Sequence, residues 1–428
     1  MERHLGAFEH SFWLYDQVHP LHFALSAKIR NKFSIDRLRQ SLTRVQQLHP
    51  LLRVRIELDK SGRPKFVEQN AEIPLRVLLR EDDLQWQREL EVEMSKSFDW
   101  AIAPLARVVL LQSDICSELI VTCHHSIADG MSVAYLIRDI VQGLESDLPV
   151  VRLPMTRELS ESFPIESVVP SMDEKLSAPP AGTPQQEALS SGYSTEVSTR
   201  PRPHIRTALL SAELTWALND RCREQKTSVH GAIAAAFLLA LAGQKGVTSS
   251  QLKCLSPINV RSHLMPTVGE AVGLYITYGL TNHELPFDST LWEIARSFKS
   301  QLSEAMMLHR LFEVIPPRQA AIATLPSAQV MVQGMQQQYG YDLLVTNLGR
   351  LNLEQQFGSL QIESLYGPAV MAGMEQERIV GVATLGDRLS LTVSSPAHVT
   401  SSLQASSFLA EALQFLSHAV PVSNFALV

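Results

Sequence analysis

The 428-residue sequence has no apolar run long enough to cross a bilayer. Its longest, Val229 to Gly243, falls short of the roughly 20 residues a spanning helix needs; it reads as a buried helix, capped by Thr227 or Ser228 and stopped by Gly243. Met1-Glu2-Arg3-His4 leads into no apolar stretch, so a cleaved secretory signal is not expected. Cysteine is scarce. Cys116, Cys123, Cys222 and Cys254 lie far from tight spacing, which argues for reduced buried thiols, and no paired CxxC or HExxH supplies a metal site. Positive charge is also short: 37 Lys and Arg against 44 Asp and Glu leave a net charge of -7, with no bulk attraction to nucleic acid. A cytoplasmic protein with no transmembrane segment, no metal and no nucleic-acid partner is the expectation.

What is present is apolar content. A hydrophobic fraction of 45% against 19% charged residues suits a well-buried globular chain, and this length makes two domains the natural prior. Phe23, Leu25, Ala27 and Ile29 alternate as in a strand, and Ile35, Leu38, Leu42 and Val45 then recur at helical spacing behind a Ser34 cap. That helix should end before His49-Pro50. Leu51 to Leu58, Leu105 to Leu111 and Leu119 to Cys123 read as further strands, and Ser132 can cap a helix carrying Val133, Leu136, Ile137 and Ile140. Periodicity vanishes between Ser167 and Pro203, where Pro170, Pro179, Pro180, Pro184, Pro201 and Pro203 are scattered among Ser, Glu, Gln and Gly. The expected division is therefore an N-terminal lobe 1-166, a linker 167-203 and a C-terminal lobe 204-428. In the latter, Leu214 to Gln225 and Leu291 to His309 read as helices, and Leu343 to Thr346 and Arg388 to Val393 as strands.

The chemistry concentrates in His124-His125-Ser126-Ile127-Ala128-Asp129-Gly130, directly after the run Leu119-Ile120-Val121-Thr122-Cys123. A strand ending in a histidine, a turn fixed by Asp and Gly, and a following helix aim one imidazole rigidly into a cleft. From the chain's own composition, this pattern arises by chance on the order of one time in a thousand. Adjacent strand residues point to opposite faces, so His124 and His125 cannot share a metal, and only one of them serves a given cleft. Cys123 lies on the His125 face but roughly 7 Å behind it in an apolar run, a poor place for a nucleophile. The N-terminus of the next helix lies beside the histidines and suits an oxyanion. Two further polar segments, Ser256-Pro257-Ile258-Asn259-Val260-Arg261 and Thr346-Asn347-Leu348-Gly349-Arg350, follow strand-like runs where sites in α/β folds are often built.

Together with Phe12-Trp13-Leu14-Tyr15-Asp16-Gln17 and Leu48-His49-Pro50-Leu51-Leu52-Arg53, these segments resemble the superfamily of chloramphenicol acetyltransferase and nonribosomal-peptide condensation domains. The likeness is strongest to stand-alone polyketide-associated acyltransferases of the phthiocerol/phthiodiolone dimycocerosyl transferase type. The resemblance implies an α/β fold of two chloramphenicol acetyltransferase-like lobes in a V, with a channel between them that a monomer completes. It implies His125 as the base, with His124, Asp129, Gly130 and Arg261 as structural residues of the motif, Asp129 pairing with Arg261 across the lobes. Asn347 and the Gly130 region would border the reacting centre and its oxyanion.

The implied reaction moves an acyl group from a thioester on coenzyme A or a carrier-protein phosphopantetheine arm to a hydroxyl of a small-molecule or lipid acceptor. No cofactor is held permanently. Two departures favour ester formation over peptide condensation: Ser11-Phe12-Trp13-Leu14 lacks the Ser-x-x-Gln pattern, and Val272-Gly273-Leu274-Tyr275-Ile276-Thr277 replaces Val-Gly-x-Phe-x-Asn-Thr. An amide-forming condensation enzyme and a non-catalytic carrier-protein docking module are the alternative readings.

Overall fold

A computed structural model describes residues 2-146, 151-163, 202-245, 249-286, 288-372 and 378-420. The first half runs β1 (Glu2–His4), α1 (Ala7–Asp16), β2 (His22–Arg30), α2 (Ile35–Leu48), β3 (Val54–Leu58), β4 (Pro64–Glu68), β5 (Leu75–Leu79), α3 (Gln85–Met94), β6 (Ala106–Gln112), β7 (Cys116–His124) and α4 (Gly130–Glu145). The Ser34 hydroxyl caps α2 by accepting from the Arg37 amide. Leu51 to Leu58 is not one strand. Pro50–Arg53 form a 3-10 turn, because proline fixes its own φ at a helical value, and β3 begins only at Val54.

The second half runs β8 (His204–Leu209), α5 (Ala212–Glu224), α6 (Val229–Lys245), β9 (Ser249–Asn259), β10 (Ile276–Pro286), α7 (Leu291–Ala305), α8 (Leu308–Glu313), α9 (Ile315–Ala323), α10 (Ala328–Tyr339), β11 (Leu343–Leu351), β12 (Gln356–Phe357), β13 (Leu360–Val370), β14 (Ile379–Leu385), β15 (Arg388–Ser395) and α11 (Ser402–Ala419). Ser228 caps α6 by accepting from the Gly231 amide, and the helix continues through Gly243 instead of stopping there. The Leu291 to His309 pattern breaks into α7 and α8 around Met306. The expected linker lies outside the described residues, except for Arg202 and Pro203. Among the described residues no single helix is long and apolar enough to cross a membrane.

Two six-stranded sheets form the lobes. One has the order β10-β9-β11-β14-β15-β8; the other, β12-β13-β2-β7-β6-β5, takes its first two strands from the second half of the chain. β13 pairs antiparallel with β2, from Gln361 opposite Arg30 to Val370 opposite Phe23. A cut in chain order therefore does not coincide with sheet membership. The largest apolar cluster joins Leu119, Val121 and Cys123 to α2 and α4 and also takes in Leu255, Leu344 and Ile379 from the other sheet.

β7 is buried along its whole length because both its faces are covered. Leu119, Val121 and Cys123 face the main core, while Ile120 packs with Trp86 and Leu90 of α3. This alternation decides where the strand's last residues point.

Candidate active site

His124 and His125 leave β7 on opposite faces. The His124 ring is fully buried; its Nδ1 accepts from the Ser126 amide at 3.1 Å, and its Nε2 lies 3.2 Å from the Asp16 carboxylate. Asp16, at the end of α1, also accepts from the Leu21 amide at 2.6 Å. Burial alone would raise the Asp16 carboxyl, but the attraction and hydrogen bond of His124 hold it below the usual range. His124 is thus a strut between α1 and β7.

His125 is half-buried and wedged between Phe12, 4.9 Å away in an edge-on contact, and Phe23, 4.5 Å away. Its Nδ1 lies 2.9 Å from the Ala128 carbonyl oxygen. A carbonyl only accepts, so Nδ1 carries the proton and Nε2 presents a lone pair. Burial pushes the ring's pKa down to about 4, so the imidazole is neutral at neutral pH.

Asp129 is the N-cap of α4; the expected cap, Ser132, lies inside the first turn. The aspartate's Oδ1 accepts from the Ser132 amide at 2.8 Å and its hydroxyl at 3.0 Å. Its Oδ2 accepts from Arg261 Nη1 at 2.6 Å and the Tyr275 amide at 2.9 Å. Arg261 sits in the 3-10 turn after β9, with Nη2 donating to the Ser132 hydroxyl at 2.8 Å. Asp129 and Arg261 are 1% and 7% exposed, so this is a buried ion pair whose remaining polar atoms are almost all occupied. It ties the start of α4 to the 261-275 segment. Sequence reasoning assigned no role to Asp16 or Tyr275 and gave Ser132 only that of a helix cap; Asp16 lay within a quoted segment, but its partner His124 is far along the chain and left no local signal.

A cavity of about 1090 Å³, counting its opening, lies between the sheets and is walled by residues from Phe12 to Ala372. His125, Gly130 and Met131 form one side, and Thr346, Asn347 and Leu348 of β11 another. Most of the wall is apolar or aromatic, including Phe12, Phe23, Leu255, Ile276 and Leu344. Gly130 lets neighbours approach closely: a Cβ there would come within 2.7 Å of a Leu348 methyl and 3.1 Å of Pro368, so the Leu348 side chain would have to shift. The Asn347 side-chain oxygen accepts from the Gly349 amide at 2.7 Å, where Gly349 has φ +70°, which leaves the carboxamide NH2 as the donating end. Of the α4 first-turn amides, Ser132's is taken by Asp129; Gly130 and Met131 remain at the cavity wall.

Cys123 is fully buried, and burial raises its thiol to about 12, so it has no nucleophilic role at this strand end. Ser256 and Asn259 belong to β9 itself. The Ser256 hydroxyl turns away to His230 at 3.0 Å, whereas Asn259 reaches the cavity.

The condensation-domain family model matches residues 13–154, and the model of the phthiocerol/phthiodiolone dimycocerosyl transferase C-terminus matches residues 199–394. Over 277 residues the chain is 26% identical to chondramide synthase of Chondromyces crocatus, a match covering 58% of this chain but 6% of that protein. Its fold is similar to polyketide synthase associated protein 5 from Mycobacterium tuberculosis, with a TM-score of 0.66, 16% identity and 99% and 98% of the two chains covered. It is also similar to the TRI3 trichothecene 15-O-acetyltransferase of Fusarium sporotrichioides, with a TM-score of 0.71, 12% identity and coverages of 98% and 96%.

Proposed function

Since the chain belongs to the superfamily of condensation domains and polyketide-associated acyltransferases, whose members use acyl thioesters of coenzyme A or a carrier protein, we propose that it transfers an acyl group from such a thioester to an acceptor hydroxyl. The observation that carries this reading is the His125 ring at the cavity wall: Nδ1 donates to the Ala128 carbonyl oxygen, which leaves Nε2 as the nitrogen with a lone pair.

In the proposed step the acceptor O–H gives its proton to Nε2 while oxygen forms a bond to the thioester carbonyl carbon. The tetrahedral oxyanion lies against the Gly130 and Met131 amides and the Asn347 carboxamide. Collapse breaks the C–S bond, and His125 returns the proton to sulfur, giving ester and thiol. A ring with its pKa near 4 does not hold the proton, which favours passing it on. Asp129 and Arg261 act by fixing the turn and the cap of α4.

A hydroxyl acceptor is supported by charge. Among the described residues the cavity wall has no Lys, Arg or Glu, and the one carboxylate there, Asp129, is already occupied by Arg261, so none of them would receive an ammonium group. The division at 1-166 and 204-428, with 167-203 as linker, belongs to this reading as a division along the chain, with β12 and β13 of the second part completing the first sheet. A monomer and a cytoplasmic setting belong to it as well, the latter in keeping with four free, buried cysteines.

The test is incubation with one acyl thioester and an alcohol and amine of the same skeleton, analysed by mass spectrometry. Ester is the expected product. Amide without ester would favour the condensation alternative, and neither product would favour the docking-module alternative.

A further inference from the structure

Between Val314 and Tyr341 only one residue, Arg318, is charged at neutral pH. It lies on α9 and is 5% exposed. Its guanidinium carbon is 4.9 Å from the centre of the Phe8 ring of α1 and 5.7 Å from that of Tyr339 of α10. Nη2 donates to the Tyr339 hydroxyl oxygen at 3.4 Å, and Nη1 is buried with no hydrogen-bond partner. Among the described residues no carboxylate pairs with it. The other deeply set arginines differ: Arg261 has Asp129 at 2.6 Å, and Arg107 has Glu93 at 2.6 Å. A buried cation without a counter-ion is costly, and the attraction of two ring faces offsets only part of that cost.

Tyr339 connects this charge to the cavity. Its ring is part of the wall, as is Tyr278, whose ring centre is 5.4 Å away. An arginine can only donate, so the Tyr339 oxygen is the acceptor in their contact and the phenolic proton remains available to a ligand. The charge lies behind a neutral wall, with its nearest polar group able to relay a hydrogen bond inward.

We propose that Arg318 and Tyr339 form an anion-binding end of this cavity, separate from His125, that takes a carboxylate or phosphate oxygen of a bound substrate. Tyr339 would donate its phenolic hydrogen to that oxygen, and the Arg318 charge behind it would favour either group. The proposal rests on the acyl-transfer reading only in the choice of probes: a phosphate would come from the pantetheine arm, and a carboxylate from the acyl chain or the acceptor.

Calorimetric titration of the full chain tests it with two matched pairs, 4′-phosphopantetheine against pantetheine and decanoate against decanol. At least one anion should bind 10-fold or more tightly than its neutral partner, and the pair that shows the preference identifies the source. Arg318→Met should erase the preference while the Tm holds or rises, because an apolar side chain of similar length replaces an unpaired charge. Tyr339→Phe should reduce it. His125→Ala should retain it, which separates this site from the catalytic reading. No preference in the wild type, a preference that survives Arg318→Met, or a lowered Tm or failure to fold in Arg318→Met would overturn the proposal, the last by making Arg318 a structural residue.

Discussion

The two faces at the end of β7 receive the same side chain and put it to opposite uses. On the inner face, His124 is closed off by Ser126 and Asp16, its Nδ1 accepting from the Ser126 amide and its Nε2 lying against the Asp16 carboxylate. On the cavity face, His125 is held through one nitrogen only, between two aromatic rings, and the other nitrogen is left to a ligand. Residue type does not distinguish them. What does is whether the opposite face brings a protein partner or an empty volume, a difference that strand alternation imposes on two consecutive positions.

The sharpest way to break this comparison is to delete each ring in turn. His125→Ala should cost acyl transfer roughly 10²- to 10⁴-fold while the melting temperature stays near wild type, since a cavity-facing ring supports little of the core. Steady-state turnover with a thioester and an alcohol, alongside calorimetry, checks both halves; full activity in this variant would remove the base assignment.

Asp129→Ala strands Arg261 at 7% exposure and should cost about 3 to 5 kcal/mol, with activity falling as the cap of α4 loosens. Urea denaturation measures the first, and an unchanged midpoint would mean that water replaces the carboxylate. His124→Ala should come next, at about 1 to 3 kcal/mol, because it leaves the Asp16 carboxylate without its ring partner in the core. Turnover per folded molecule should be largely retained, the reverse of the His125 result.

A separate effect, spread over several buried rings, is on pH. Burial lowers His125, His10, His230 and His283 to about 4 and His22 to about 3. In the unfolded chain these rings take up protons near the ordinary pKa of about 6.5, so between that pH and 4 the unfolded state binds more protons than the folded one. Stability should therefore be full above about pH 6.5 and decline as the pH falls toward 4, which a Tm series reads directly. Over the same range the transfer rate should keep its base neutral, with its acidic limb near pH 4 instead of 6.5. A limb at 6.5 would show that the ring is well hydrated when substrate is bound.

Much of this arrangement was legible in the residues. Period-two and helical patterns placed β2, α2, β6 and β7, because a half-buried element must alternate its polarity in step with its own repeat. They failed at Pro50, whose fixed φ made a 3-10 turn of Leu51 to Arg53 where hydrophobicity suggested a strand, and at Gly243, whose preference for helix ends did not stop α6. They also misplaced the cap of α4. Asp129 and Ser132 are both good capping residues, and the choice between them was made by Arg261 and the Tyr275 amide, which hold the Asp129 carboxylate from elsewhere in the chain.

By itself the sequence determined that a strand delivers two histidines to a turn, that they face apart, and that a helix starts immediately afterwards. These are short-range consequences of pleat, proline, glycine and capping chemistry. Only the tertiary structure decided that Asp16 claims His124, that β13 crosses into the first sheet, and that Leu348 lies against Gly130. Each of these joins residues more than a hundred positions apart. Such contacts depend on how two sheets pack around a shared core, and no local pattern encodes that distance.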